Sequence, residues 1–119
     1  MATHEEFKDD GDAALAIGEL EEAVNCYRKA TEMAPDYFDA WHALSMAFLK
    51  LQRFPEAIEA GKKATEIDPN NQFGWTSLSL AYVRNHMIPE AEAAGAKAKI
   101  ISWGGKVKVD GSDKSSDKP

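Results

Sequence analysis

The residue types able to carry chemistry in this 119-residue chain are three histidines, one cysteine and an excess of carboxylates. A metal site needs His, Cys or carboxylate ligands at short, patterned spacings, and a catalytic nucleophile needs a base within reach. His4, His42 and His86 lie far apart in sequence and form no HExxH motif. Cys26 has no companion, so neither a CxxC pair nor an internal disulfide is available. There is no P-loop and no GxGxxG; Gly104-Gly105 is an isolated pair. Glu19, Glu21 and Glu22 open a helical stretch, where carboxylates complement the helix dipole. Cys26 reads as a small half-buried residue, and His42 as a solvated or partner-contacting ring rather than a general base. The expectation is a protein that is not an enzyme, with no metal and no cofactor.

Charge and composition narrow the partners. Fourteen basic against twenty acidic residues give a net charge of −6. A phosphate backbone requires a basic stripe, so nucleic acid is not expected. Apolar residues make up 44% and charged residues 29%, enough to fold one domain. The purely apolar runs are a few residues long, against the ~20 needed to span a bilayer. The start, Met1-Ala2-Thr3-His4-Glu5-Glu6, is acidic where a signal peptide would be basic and then apolar. A soluble, cytoplasmic chain without membrane contact is expected.

The elements that position these residues repeat. Trp41 and Trp75 are 34 residues apart, as are Leu44 and Leu78, Ser45 and Ser79, Pro35 and Pro69, and Pro55 and Pro89. Ala23, Ala57 and Ala91 keep the same step, and so do Ala30, Ala64 and Ala98. Aligning Phe38–Asn71 with Gln72–Gly105 gives 12 identities in 34 positions, which no chance alignment of this length produces. Each unit holds two helical stretches. Trp41, Leu44, Ala47, Phe48 and Leu51 follow the spacing of one helical face. A second stretch restarts at Phe54-Pro55, since proline suits the first helical turn. It stops at Asp68-Pro69-Asn70-Asn71, where proline and asparagine favour turns. The alanines mark close helix crossings, and Gly61 and Gly95 predict close contacts rather than kinks, with Tyr27 at the equivalent place in the first unit.

This 34-residue unit, with Trp41, Leu44, Ser45, Phe48, Ala57, Ala64 and Pro69, resembles the tetratricopeptide repeat. The third unit matches at Trp75, Leu78, Ser79, Tyr82, Ala91 and Ala98, with Trp103 in place of the closing proline. The first is looser, with Phe7 for the tryptophan but Gly11, Ala23, Tyr27, Ala30 and Pro35 in place. The resemblance implies an all-α fold, a right-handed α-solenoid of three helix-turn-helix repeats at 4–37, 38–71 and 72–105. A flexible polar tail is expected over 106–119. Terminal units of such stacks present polar outer faces, an expectation that Glu92 meets where earlier units carry Val24 and Ile58.

The resemblance also implies a concave groove, lined by the first helices, that grips a partner peptide or helix. On those helices the residues turned away from the Trp/Leu face are Lys8, Asp12 and Leu15; His42, Met46, Leu49 and Lys50; and Phe73, Thr76, Leu80, Val83 and Arg84. Met46, Leu49, Phe73, Leu80 and Val83 are apolar where a solvated face would be polar. They serve either to pack against the neighbouring repeat or to anchor a partner, and the second is preferred. The expected function is a non-enzymatic adaptor binding a protein segment with apolar anchors. One alternative is a self-associating scaffold, the acidic first repeat (net −7 from His4 to Tyr37) stacking on the last. Another is a chaperone-adaptor module lacking most of the family's carboxylate clamp. Of that pattern only Lys8 is present, since Asp12, Ala43, Phe73 and Ser77 stand where asparagine, asparagine, lysine and arginine are implied.

Overall fold

The structure is a computed structural model and describes residues 2–107. Among these residues every regular element is a helix: α1 (His4–Ala16), α2 (Leu20–Met33), α3 (Phe38–Lys50), α4 (Phe54–Ile67), α5 (Gln72–Arg84) and α6 (Ile88–Ser102). Successive odd helices begin 34 residues apart, and so do successive even ones, so the sequence period is the structural period. No described helix is long and apolar enough to cross a membrane.

Local chemistry sets the boundaries. α1 begins before Phe7 because Thr3 and Glu6 form a capping box: the Glu6 N–H donates to Thr3 Oγ1 (3.1 Å) and the Thr3 N–H to Glu6 Oε1 (2.8 Å). The three turns within repeats are built alike. Gly18, Gln52 and His86, again 34 apart, take positive φ of 83°, 61° and 61°. The next N–H in each reaches back to close the helix: Glu19 to the Ala14 carbonyl, Arg53 to Phe48 and Met87 to Tyr82, at 2.8 to 2.9 Å. Two of the three are not glycine, so this left-handed position is held by the surrounding turn rather than by residue choice.

Each repeat closes with a helix pair, and each pair stacks on the next through α2 against α3 and α4 against α5. Ala23 and Ala57 are fully buried and Ala91 nearly so, as a close helix crossing requires. Beside the crossing the Ser45 hydroxyl donates to the Ala57 carbonyl (2.9 Å) and Ser79 to Ala91 (2.8 Å). The tryptophans tie one repeat to the next: Trp41 Nε1–H donates to the Pro35 carbonyl and Trp75 Nε1–H to Pro69, both at 2.8 Å. In the first repeat the small and large partners are exchanged. Gly11 replaces the serine and Tyr27 the glycine, and a Cβ on Gly11 would stand 2.5 Å from the Tyr27 ring.

Two expectations need correction. Val107, assigned above to the polar tail, is buried, and its N–H donates to Asn70 Oδ1 at 2.8 Å. Gly104, at φ 88°, turns the chain back toward the α4–α5 loop and allows this docking. The tail beyond Val107 lies outside the described residues. The outer face of the last repeat is also less polar than Glu92 alone suggested, because Val83, Ile88, Ala91, Gly95 and Ala96 line it with Glu92 and Lys99.

Candidate functional site

The odd helices touch one another, α1 against α3 and α3 against α5, whereas α2, α4 and α6 do not. A stack whose first helices converge and whose second helices splay is concave on the first-helix side. The residues chosen from sequence lie on these odd helices, but the structure divides them into three groups.

Met46, Leu49, Lys50, Leu80 and Arg84 come together. With Gln52 they line a hollow of about 260 Å³ between α3 and α5. Leu49 is its packed floor at 7% exposure, not a free anchor, because α5 covers it. Met46 is half-buried, and Leu80, 40% exposed, stands open at the edge. Phe73 is 64% exposed one helix-end away. Lys50 and Arg84 are exposed and form no ion pair among the described residues, so two cations flank an apolar floor. Such a site can take an apolar side chain with an acidic neighbour.

Lys8 and Asp12 form a separate, self-satisfied group. Lys8 Nζ bridges Asp12 Oδ2 at 2.8 Å, while the Tyr27 hydroxyl donates to Asp12 Oδ1 at 2.6 Å. The bond to Asp12 raises the Lys8 pKa, and burial followed by the same carboxylate raises that of Tyr27. His42 sits between these groups, stacked on Phe38 with ring centroids 5.7 Å apart. Burial holds its imidazole below the usual range, outweighing Asp39 and the Phe73 backbone, which favour the charged ring.

Thr76 and Val83 belong elsewhere. Val83 lines a hollow with Ile88, Ala91 and Gly95, and Thr76 a neighbouring one with Gln72, Ala98 and Ser102; Ser79, Gly95 and Lys99 border both. These hollows lie on the face of the α5–α6 pair, away from the α3–α5 seam.

Sequence reading missed one feature. On the opposite side, where α2 and α4 diverge, Trp41, Leu44 and Phe48 floor a hollow of about 330 Å³ walled by Arg28, Glu32, Glu56 and Glu59. The Arg28 and Arg53 guanidinium groups lie 5.4 and 5.1 Å from the Phe48 ring centre. The signal was present in the 34-residue recurrence of this aromatic row. Trp75, Leu78 and Tyr82 line the counterpart in the last repeat, with Lys97 4.7 Å over Trp75.

Among the described residues no three His, Cys, Asp or Glu side chains group as metal ligands would. Cys26 is buried, and burial followed by a hydrogen bond to Glu22 raises its pKa, which disfavours the reactive thiolate.

The sequence model of the tetratricopeptide repeat matches residues 9–72, more than half of the chain. No curated protein matches the sequence. Among solved structures, MamA superposes with a TM-score of 0.82 at 25% identity, covering 86% of this chain and 60% of that one. The chain therefore spans less than two thirds of MamA. The TPR2B domain of yeast Sti1, in complex with pHsp70, gives 0.82 at 25% identity, covering 85% and 81%. The second such domain of Spaghetti (RPAP3), bound to the HSP90 peptide SRMEEVD, gives 0.80 at 20% identity, covering 83% and 92%.

Proposed function

Because the chain belongs to the tetratricopeptide repeat family, we propose that it is a non-enzymatic adaptor holding a partner segment along its concave face. An apolar side chain of that segment enters the hollow between Met46 and Leu80, and an acidic neighbour meets Lys50 or Arg84. One observation supports this reading: exposed Leu80 edges a hollow between α3 and α5 whose floor is apolar and whose flanking cations, Lys50 and Arg84, have no ion-pair partner among the described residues. Exposed Phe73 on the same helix offers a second anchor.

The ligand proposed is not a free acidic C-terminus. The Spaghetti domain holds the acidic HSP90 peptide SRMEEVD and the Sti1 domain is in complex with pHsp70, and an acidic terminus would need cations free to receive it. Here the ammonium of Lys8 is already bridged to Asp12, and the Asp12 carboxylate would repel the ligand. The groove offers its open charge at Lys50 and Arg84 instead.

The test uses a displayed library of random peptides selected on the intact protein. The selected peptides should carry a leucine-type or aromatic anchor. Leu80→Asp should weaken their binding by about tenfold or more, with Lys8→Ala near neutral. SRMEEVD should not compete. Tight SRMEEVD binding that is lost on Lys8→Ala would refute the reading.

A further inference from the structure

In the first two repeats the outward surface of each helix pair is covered by the next repeat. Ser45 is fully buried, Leu49 nearly so, and a Cβ on Gly61 would meet Leu78 Cδ1 at 3.1 Å. The same positions in the last repeat, Ser79, Val83 and Gly95, border open hollows. A Cβ on Gly95 would meet nothing closer than Ser79 Oγ at 3.5 Å. Along α6 this surface carries Ile88 (48% exposed), Glu92, Gly95, Ala96 and Lys99, and Trp103 (77% exposed) continues the register. Glu92 and Lys99 form no ion pair among the described residues. Two helical turns, about 10 Å, separate them along α6, too far to pair with each other.

That stripe is complementary to itself in reverse. We propose that two copies pair through this face, α6 antiparallel to α6 about a two-fold axis passing between Gly95 and Ala96. The axis sets each Glu92 against Lys99 of the second copy and each Ile88 against Trp103 of the second copy. The small residues at the centre let the helix axes approach closely. One pair of charges is thereby used twice, as an isologous interface requires.

The other end of the molecule does not compete for this face. Where α3 presents Ala40, Ala43 and Leu44 to the preceding repeat, α1 has Glu6, Asp9 and Asp10, all exposed. Stacking α1 on the last repeat would bury three carboxylates on an apolar wall lined by a single cation, Lys99. Head-to-tail growth is thus disfavoured and the assembly closes at two copies.

Sedimentation equilibrium of the full chain tests this. A monomer–dimer equilibrium without larger species is expected. Glu92→Lys alone, or Lys99→Glu alone, sets like charges together at both symmetric contacts and should weaken dimerisation about tenfold or more. The double variant Glu92→Lys with Lys99→Glu should restore it. Both side chains are exposed, so in dilute, monomeric protein each variant should melt as the parent does. A protein that stays monomeric at every concentration, grows beyond a dimer, or gains nothing from the double reversal would overturn the proposal. Leu80→Asp should leave dimerisation unchanged, so this interface and the groove reading fail separately.

Discussion

At the first repeat Gly11 of α1 receives the Tyr27 ring of α2, while at the last repeat Ser79 of α5 faces Gly95 of α6 across a looser contact. The two ends share a register and differ in how they finish. The first is locked by a buried tyrosine whose hydroxyl reaches Asp12, and its outward helix carries Glu6, Asp9 and Asp10. The last is built largely from small residues, and the charged side chains lining the hollows of its outward surface are Glu92 and Lys99. A repeat needs a neighbour on each side to bury its faces. The acidic residues remove that need at one end; at the other it is met by a second copy.

The sharpest test of this contrast is one substitution made twice. Gly11→Ala forces a methyl group into the Tyr27 ring and should cost about 1–3 kcal/mol in spite of alanine's better helix propensity. Gly95→Ala meets only ordinary contact and should gain about 0.5–1 kcal/mol in dilute, monomeric protein. Urea denaturation measures both, and changes of the same sign would show that the two ends are packed alike.

Val107, the last described residue, is pinned where the chain returns to Asn70. Val107→Asp should cost about 1–2 kcal/mol by placing a carboxylate in an apolar contact, read as a lower melting temperature. An unchanged melting temperature would free Val107 from the last repeat.

The smallest effect concerns cover. Lys8, His42 and Thr76 occupy one position in three repeats, and His42 lies beneath α5 while no described helix lies over Thr76 in the same way. The folded His42 pKa lies below 6.5, so as pH falls the unfolded chain takes up the proton first. Stability should therefore fall as pH drops below 6.5 and level off once the folded ring is also protonated. In His42→Gln that acid-side loss should be smaller than in the parent, and an identical loss would mean that α5 does not desolvate the ring.

Much of this was legible in the sequence because the period is a packing fact. Alanine at 23, 57 and 91, proline after α2 and α4, and the Trp/Leu/aromatic row of the second and third units mark the helices and their buried faces in the sequence itself. Cover is what periodicity does not encode. Leu49 and Val83 are equivalent by register, yet Leu49 is packed and Val83 is 45% exposed, because α5 follows one and no described helix follows the other. The same limit hid the Lys8–Asp12–Tyr27 network, which joins residues on two helices, and the docking of Val107, whose partner Asn70 is 37 positions away. The groove face was readable from helical spacing; which of its residues stay open was decided by the neighbouring repeat.

One end of the solenoid is closed by charge and the other pairs with its copy. Disulfide trapping separates the two ends, with Ala96→Cys on α6 and Ala13→Cys on α1, both exposed positions, while Cys26 stays buried. Under mild oxidation at equal concentration, Ala96→Cys should give a covalent dimer rapidly, because the two-fold axis passes beside that residue, and Ala13→Cys should remain monomeric. Equal trapping at the two ends, or faster trapping at Ala13→Cys, would mean that the copies do not pair through α6.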